Sequence, residues 1–449
     1  MDALDTIFKA YDVRGRVDNG EIDLDTARRI GAGFARYTGS EMVAVGRDCR
    51  DSSPSLAAAL IEGVTSCGVD AVDLGPVATE VVYFHSGLRR IPGAVVTASH
   101  NPAGYNGFKL CHRGAAPIGA GTGLEEIKRL ARGATPAPGS DRTGQVEVFD
   151  AVPGYVDHLL GIVDPEAIGP LRVAVDGGNG MAGTVVGGLL DRLDIRMTGL
   201  YLEPDGSFPN HPADPSDPAN LEDLVGLVRS ERADLGVAFD GDADRAVFID
   251  ERADRLSGST TTAIISDWFL RRRPGARIVH NLICSKAVPE IITAAGGEPV
   301  RTRVGHSFIK RVMAETGALF GGEHSGHYYF RANYGADSGM LAMLMIMTVL
   351  TEEGTTLSHL RRSYEPYVAS GEINTEVPDT GMAIEAVSSA YADRSQDRLD
   401  GLTVDLGDRW FNVRPSNTEP LLRLNVEAPD RPGVDELVAE VTGIMTRFG

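Results

Sequence analysis

Met42-Val-Ala-Val-Gly-Arg-Asp-Cys-Arg-Asp-Ser-Ser-Pro-Ser-Leu56 contains a strand, a turn and the opening of a helix. Met42 to Gly46 is a short apolar run suited to a strand covered on both faces. Asp51-Ser-Ser-Pro54 offers an N-cap and a proline for the first helical turn, and Leu56 to Ser66 continues at helical spacing. Val69 to Leu74 and Gly93 to Thr97 read as further short strands. Strands separated by helix-length segments predict βαβ units and a mostly parallel sheet. The same phrasing returns at Leu171–Asp176, Leu235–Asp240 and Arg277–His280, and Asp48, Asp176 and Asp240 stand at the carboxyl edges of three of these strands. The pattern is that of a loosely repeated α/β module. From about residue 370 the character changes to strand, helix, two close strands (Leu402–Leu406 and Trp410–Val413), another strand and a closing helix, which is an α+β tail.

The chain of 449 residues is too long for one hydrophobic core. Gly-, Pro- and Ser-rich stretches at 133–143, 251–258 and 365–371 divide it into four expected domains, 1–148, 149–252, 253–367 and 368–449. The net charge of −20 disfavours nucleic acid and anionic membrane surfaces as partners. A small anionic substrate must therefore be met by locally gathered Arg, Lys and backbone N–H groups. Glycine, at 53 residues against a usual share of about 7%, points to many tight loops. Cys49, Cys67, Cys111 and Cys284 form no C-x-x-C pair, which fits a reducing compartment. The first residues show no basic and apolar leader, and the longest apolar run, Met340–Leu350, is short for a bilayer span. A cytoplasmic location is expected. Arg271-Arg-Arg273 suits the carboxyl end of a solvated helix.

The sharpest chemical feature is Asp240-Gly-Asp-Ala-Asp-Arg245 between two apolar strands. Three carboxylates at alternate positions repel one another unless a cation neutralises them, and an all-oxygen set suits Mg²⁺ or Ca²⁺. An EF-hand is ruled out because its sixth position requires glycine where Arg245 stands, and because the flanks read as strands. Thr97-Ala-Ser-His-Asn-Pro102 presents Ser99 at a strand exit. His100 is a poor base for it, since adjacent side chains on an extended chain point to opposite faces. Lys109 lies ten residues beyond Ser99, near enough in sequence to fold back on it. Gly321-Gly-Glu-His-Ser-Gly-His327 suits sugar hydroxyls, and a metal site on His324 and His327 lacks supporting ligands nearby in sequence. Arg414-Pro-Ser-Asn-Thr-Glu-Pro420 offers a guanidinium, hydroxyls and an amide to a phosphate dianion. Gly305-His-Ser307 opens a helix, where N–H groups favour an anion.

Together with Ala10-Tyr-Asp-Val-Arg-Gly15, these motifs resemble the α-D-phosphohexomutase superfamily, in its phosphomannomutase/phosphoglucomutase branch, over essentially the whole chain. The resemblance implies three similar α/β domains with mixed, largely parallel sheets and a smaller C-terminal α+β domain around a central cleft. It implies that Ser99 carries a phosphoryl group, and that Asp240, Asp242 and Asp244 hold Mg²⁺ together with an oxygen of that phosphoserine. Lys109 and Arg245 would flank the transferring group, with Lys109 and His306 as candidates for moving the hydroxyl proton. Tyr11 and Arg14 would lie near the phosphoserine. Glu323 and Ser325 would bind sugar hydroxyls, and Arg414, Ser416, Asn417 and Thr418 the non-reacting phosphate. The implied reaction interconverts mannose 6-phosphate and mannose 1-phosphate, with glucose phosphates as possible co-substrates, through a hexose 1,6-bisphosphate that turns around in the cleft. A hinge is expected near Pro366–Ser370. Lys286 is a candidate for a sugar-binding lysine, His324 suits the manno/gluco branch, and Asn417 disfavours the phosphoglucosamine branch. Different-class alternatives are a Mg²⁺-dependent sugar phosphatase and a non-catalytic sugar-phosphate binding protein. The expected state is a monomer or small homo-oligomer.

Overall fold

The computed structural model describes residues 3–133, 142–416 and 421–447. Its first sheet runs Val13–Arg16, Tyr105–Cys111, Gly93–Val96, Met42–Arg47, Asp70–Pro76, Val146–Val148, with parallel pairing in the middle and antiparallel pairing at the first edge. The second runs Ala246–Asp250, Leu235–Phe239, Leu171–Asp176, Ile195–Leu200, and the third Glu298–Thr302, Arg277–Asn281, Phe320–Gly322, Tyr328–Phe330. Each of these also joins one antiparallel edge strand to parallel neighbours. The repeated module and the mixed sheets expected from sequence are present three times. The fourth sheet, Val368–Glu376, Leu421–Ala428, Trp410–Pro415, Leu402–Asp405 and Ser395–Asp397, is wholly antiparallel. Its last strand has three residues and no apolar alternation, which is why the sequence reading does not contain it.

Packing is close where the sequence has small residues. In the helices Leu24–Thr38 and Ser53–Thr65, a Cβ on Gly31 would lie 2.1 Å from the Leu60 carbonyl oxygen, and one on Gly63 would lie 2.0 Å from that of Arg28. Only glycine permits this backbone contact. The apolar run that was too short for a bilayer is the interior of helix Gly339–Glu353, buried from Gly339 to Leu350. It lies in one hydrophobic core shared by all three α/β domains. Among the described residues no single helix is long and apolar enough to cross a membrane.

The C-terminal sheet has a hydrophobic core of its own. It meets the third domain through polar contacts: Lys286 N donates to Glu427 Oε1 at 2.9 Å, Arg301 pairs with Asp397, and Val304 N donates to Asp400 Oδ2 at 3.3 Å. A polar interface between separately cored units leaves room for relative motion.

Candidate active site

Strand Gly93–Val96 ends inside the first domain, and the chain turns sharply at Ser99, whose φ is +51°. Thr97 Oγ1 accepts from Ser99 N at 2.9 Å, and Arg14 donates to the Thr97 carbonyl while pairing with Asp12 at 2.9 Å. The Ser99 hydroxyl is buried and donates to Asp240 Oδ2 at 2.6 Å. This bond crosses from the first domain to the second. The two loops touch along the backbone as well, since a Cβ on Gly241 would stand 2.5 Å from the Ser99 carbonyl oxygen.

The turn corrects the sequence expectation for His100. At positive φ the chain is not extended, so the two side chains are not on opposite faces, and His100 Nδ1 lies 3.3 Å from Ser99 Oγ. The positive charge of Arg245, then burial, then Arg14 and Lys109 hold His100 well below the usual imidazole range.

Asp240, Asp242 and Asp244 project into the interior from the loop between strands Leu235–Phe239 and Ala246–Asp250, and all three are essentially inaccessible to solvent. Oxygens of the three lie within 4.8 Å of one another. Lys109, on strand Tyr105–Cys111, does reach back into this cluster: its Nζ donates to Asp242 Oδ2 at 2.6 Å and to Asp244 Oδ2. Thr79 Oγ1 adds a bond to Asp242 Oδ2 at 2.6 Å. Burial disfavours the Lys109 ammonium, but Asp242 and Asp244 outweigh it and raise its pKa. Burial, followed by the charges of Asp242 and Asp244, pushes Asp240 well above the carboxylate range. Burial acts on Asp244 in the same sense, yet Lys109 and His327 overcome it and hold that group well below the range. Asp242 Oδ1 and Asp244 Oδ1 are buried with no hydrogen-bond partner. Two orphaned carboxylate oxygens in a three-carboxylate cluster form a donor set that fits a small hard cation.

Arg245 turns the other way. Its Nε lies 3.7 Å from Asp240 Oδ2 and donates to His327 Nε2 at 3.2 Å, and Ala246 N donates to the Gly326 carbonyl at 3.1 Å. The 321–327 loop is thereby fastened to the acidic loop. His327 Nε2 comes within 3.5 Å of Asp244 Oδ1, and Asp244, His327 and Asp337 form a second cluster able to hold a metal. The supporting ligands absent from the local sequence thus come from distant segments, which corrects that expectation for His327. His324 stands apart with Ser259, and burial pushes it down to about 4.

Within the loop, Glu323 Oε1 accepts from Asn281 Nδ2 and Gly305 N, each at 3.1 Å, and Oε2 accepts from the Tyr329 hydroxyl at 2.7 Å. Ser325 Oγ is 3.1 Å from His327 Nδ1. His306 opens helix His306–Thr316 with both ring nitrogens buried and unpartnered. Burial, then Lys310 and Lys109, push it well below its ordinary value, so the ring is neutral. Tyr11 packs its ring edge on His306 and donates its hydroxyl to the Val304 carbonyl at 3.0 Å. It stands on the His306 side of the site, while Arg14 supports the Ser99 loop.

A cavity of about 1040 Å³ separates Tyr11, Arg303 and Val304 from the C-terminal sheet, where Arg414 and Arg423 line it. Arg414 donates to Asn425 Oδ1 at 3.1 Å and pairs with Glu372, which also meets Arg423 at 3.2 Å. Ser416 lies at the end of this strand, its N–H bonded to the Leu421 carbonyl at 2.9 Å. Asn417 and Thr418 lie outside the described residues. Lys286 faces the C-terminal domain, with Nζ donating to the Gly407 carbonyl and 3.6 Å from Asp405, so no sugar-side contact supports its expected role.

Four family models cover the chain almost end to end: phosphoglucomutase/phosphomannomutase alpha/beta/alpha domain I over residues 5–136, domain II over 153–254, domain III over 257–367, and the C-terminal domain over 372–444. The chain belongs to the phosphoglucomutase/phosphomannomutase family. It is 38% identical to a phosphomannomutase of Salmonella montevideo, covering 94% of this chain and 95% of that one. It is 39% identical to a phosphohexose mutase of Xanthomonas campestris pv. campestris, with 94% of each covered. Among solved structures, a phosphoglucomutase/phosphomannomutase family protein from Burkholderia thailandensis superimposes with a TM-score of 0.90 at 32% identity, over 99% of this chain and 97% of that one. The acidic loop, the serine loop and the 321–327 loop come from three different matched family domains and meet at one place.

Several side chains that build this place were not singled out from sequence: Arg50, Thr79, Asn281, Tyr329, Glu372 and Asn425. Arg50, Thr79, Asn281 and Glu372 each act on a motif residue from a distant segment, whereas Tyr329 and Asn425 lie only 6 and 11 residues from the Glu323 and Arg414 they touch. Only Asp48, noted as a strand-end carboxylate, pointed toward one of them.

Proposed function

We propose that the protein is a phosphomannomutase that reversibly interconverts mannose 6-phosphate and mannose 1-phosphate, with glucose phosphates as co-substrates. The observation that carries this reading is the 2.6 Å bond from Ser99 Oγ to Asp240 Oδ2 inside a buried cluster of three carboxylates and two cations. A serine so placed is suited to carry a phosphoryl group whose charge the surrounding cations balance. Asp240, Asp242, Asp244 and Ser99 would hold Mg²⁺, which supplies neutralisation of phosphoryl charge when bound.

The remaining steps belong to the chain. The bond from phosphorus to Ser99 Oγ breaks as the bond from phosphorus to a sugar hydroxyl oxygen forms, giving the hexose 1,6-bisphosphate. His306 takes the hydroxyl proton, because its ring is neutral with two free nitrogens while Lys109 is held protonated by two carboxylates. Lys109 and Arg245 offset charge on the group in transit. Glu323 and Ser325 orient the sugar, Tyr11 and Arg14 position the loops beside it, and Arg414 with Ser416, Asn417 and Thr418 grips the non-reacting phosphate. After the bisphosphate turns around, the bond from its other phosphorus to the sugar oxygen breaks as that phosphorus bonds to Ser99 Oγ, and His306 returns the proton to the departing sugar oxygen. Rotation about a hinge near Pro366–Ser370 opens enough room for that turn and then shuts out water.

The test is a coupled assay across mannose, glucose and glucosamine 1-phosphates with a hexose 1,6-bisphosphate as activator. Mannose 1-phosphate is expected to be turned over best, and Ser99→Ala to abolish turnover while the protein stays folded. Release of inorganic phosphate without isomerisation would overturn the reading.

A further inference from the structure

Arg50 belongs to none of the motifs that carry the family resemblance, yet it is fully buried. It follows strand Met42–Arg47 in the loop that leads to helix Ser53–Thr65. Its Nε donates to Asp48 Oδ2 at 3.0 Å. One terminal nitrogen donates to the carbonyls of Pro102 at 2.7 Å and Tyr105 at 3.1 Å, and the other to those of Ser99 at 2.8 Å and Asn101 at 2.6 Å. A guanidinium has five N–H bonds in a rigid planar fork. All five are used here, four of them on main-chain oxygens of the segment that carries Ser99.

This segment has no regular secondary structure between Val96 and Tyr105. Its carbonyls cannot be satisfied by a ladder, and turning them inward onto one cation fixes both their direction and the left-handed turn at Ser99. Arg50 is itself braced. Asp48 Oδ1 accepts from Arg50 N at 3.0 Å and from the Ser53 hydroxyl. Asn106 Nδ2 donates to Ser52 and Ser53 hydroxyls at 2.8 and 2.9 Å. The second domain closes the other side: the Phe208 ring lies 5.0 Å from the guanidinium, and a Cβ on Gly206 would stand 2.5 Å from Arg50 Cα.

We propose that Arg50 is a positioning residue for phosphoryl transfer, a cationic hub around which the Ser99 loop is wound so that Oγ meets the acidic cluster of the neighbouring domain. The proposal rests on the mutase reading of Ser99. Arg50 is fully buried and its five N–H groups are all taken by the protein, which leaves none for a substrate. It acts through the Ser99 backbone, so its loss is expected to affect the chemical step and not the grip on the distant phosphate at Arg414.

The test is Arg50→Lys, which keeps the charge and loses the fork, beside Ser53→Ala, which removes one brace and leaves the guanidinium in place. Misplacement of a reacting group by about 1 Å costs about 10²-fold in rate. Arg50→Lys is expected to lower kcat by about that factor with KM for the hexose phosphate within about threefold, the signature of an interaction made in the transition state. Ser53→Ala is expected to move kcat the same way by a smaller factor. Phosphorylation of the chain by a hexose 1,6-bisphosphate, followed by intact mass, is expected to slow in Arg50→Lys in step with kcat. Rates are referred to protein shown folded by its near-ultraviolet circular dichroism. If Arg50→Lys does not fold, Ser53→Ala carries the test by the same split. A wild-type kcat for the folded variants, or a loss confined to KM, would overturn the proposal. A wild-type chain that takes up no phosphoryl group would instead refute the mutase reading on which it stands.

Discussion

Replacing Lys109 with Met examines the electrostatics of the site directly, because Lys109 Nζ is the one cation bonded to both Asp242 and Asp244 among the described residues. Methionine keeps the approximate volume of the stem and removes the charge. Two buried carboxylates then lose their ammonium partner and keep only Thr79 and His327, while Asp240 keeps Arg245 at 3.7 Å. Breaking a buried ion pair costs about 3–5 kcal/mol. With roughly 2–4 °C per kcal/mol for a cooperative unit of 150–250 residues, the melting temperature in EDTA should fall by roughly 6–20 °C. A divalent cation should restore most of this, since it supplies the missing charge to the same oxygens; at a concentration 100 times its Kd it contributes about 2.7 kcal/mol. Wild-type protein should gain less from Mg²⁺, because there the ion competes with an ammonium already seated on two of the three carboxylates. The measurement is thermal unfolding of both proteins in EDTA and in excess MgCl₂. Equal melting temperatures in EDTA, or a Mg²⁺ shift no larger in the variant than in wild type, would refute the argument that Lys109 balances the cluster.

Arg414→Ala removes the guanidinium that lines the cavity at the C-terminal sheet, and a hydrogen bond from such a charged group to a substrate phosphate is worth about 1.5–3 kcal/mol. KM for mannose 1-phosphate should rise at least tenfold, with the Mg²⁺ concentration for half-activation unchanged in the same coupled assay. Chelation with EDTA should stop turnover reversibly, and activity should return on addition of Mg²⁺ but not of a monovalent salt. His280, buried on strand Arg277–Asn281, is pushed down to about 4 by burial from an ordinary value of 6.5. Between those values the unfolded chain binds more protons than the folded one, so stability is full above pH 6.5 and declines as pH falls toward 4, by about 3 kcal/mol for this group. His280→Gln should flatten the dependence of melting temperature on pH across that window.

The repeated α/β module was legible because buried parallel strands announce themselves as short apolar runs, as Met42–Gly46 and Leu171–Asp176 do. The acidic triad and the serine loop were legible because like charges at alternate positions and a turn serine need chemical reasons. What stayed hidden was the connection between them. Nothing local tells that Thr79 reaches Asp242 across 163 residues, or that Glu323 is held by Asn281 and Tyr329. The geometric premise used for His100, opposite faces on an extended chain, fails for a more instructive reason, although the lowered pKa still makes His100 a weak base. It assumed an extended backbone, whereas Ser99 adopts positive φ under constraints from Arg50 that lie 49 residues away. Lys286, expected on the sugar side, is sent by the fold toward the C-terminal domain, where it meets Gly407 and Asp405.

The same geometry weighs against a sugar phosphatase built on the acidic loop. Such an enzyme needs a carboxylate free to attack phosphorus, or a water molecule held where it can do so. Asp240 Oδ2 is occupied by the Ser99 hydroxyl at 2.6 Å and is not free to attack. Asp242 and Asp244 are ionised, but their bonded oxygens face Lys109, and the cluster is closed to solvent. The oxygen best placed to accept a phosphoryl group is therefore that of Ser99, and a seryl phosphate enclosed here is shielded from water while it waits for a sugar hydroxyl. Transfer and return are favoured over hydrolysis by enclosure alone, so a variant that loosens the Ser99 loop should leak inorganic phosphate as it loses mutase activity.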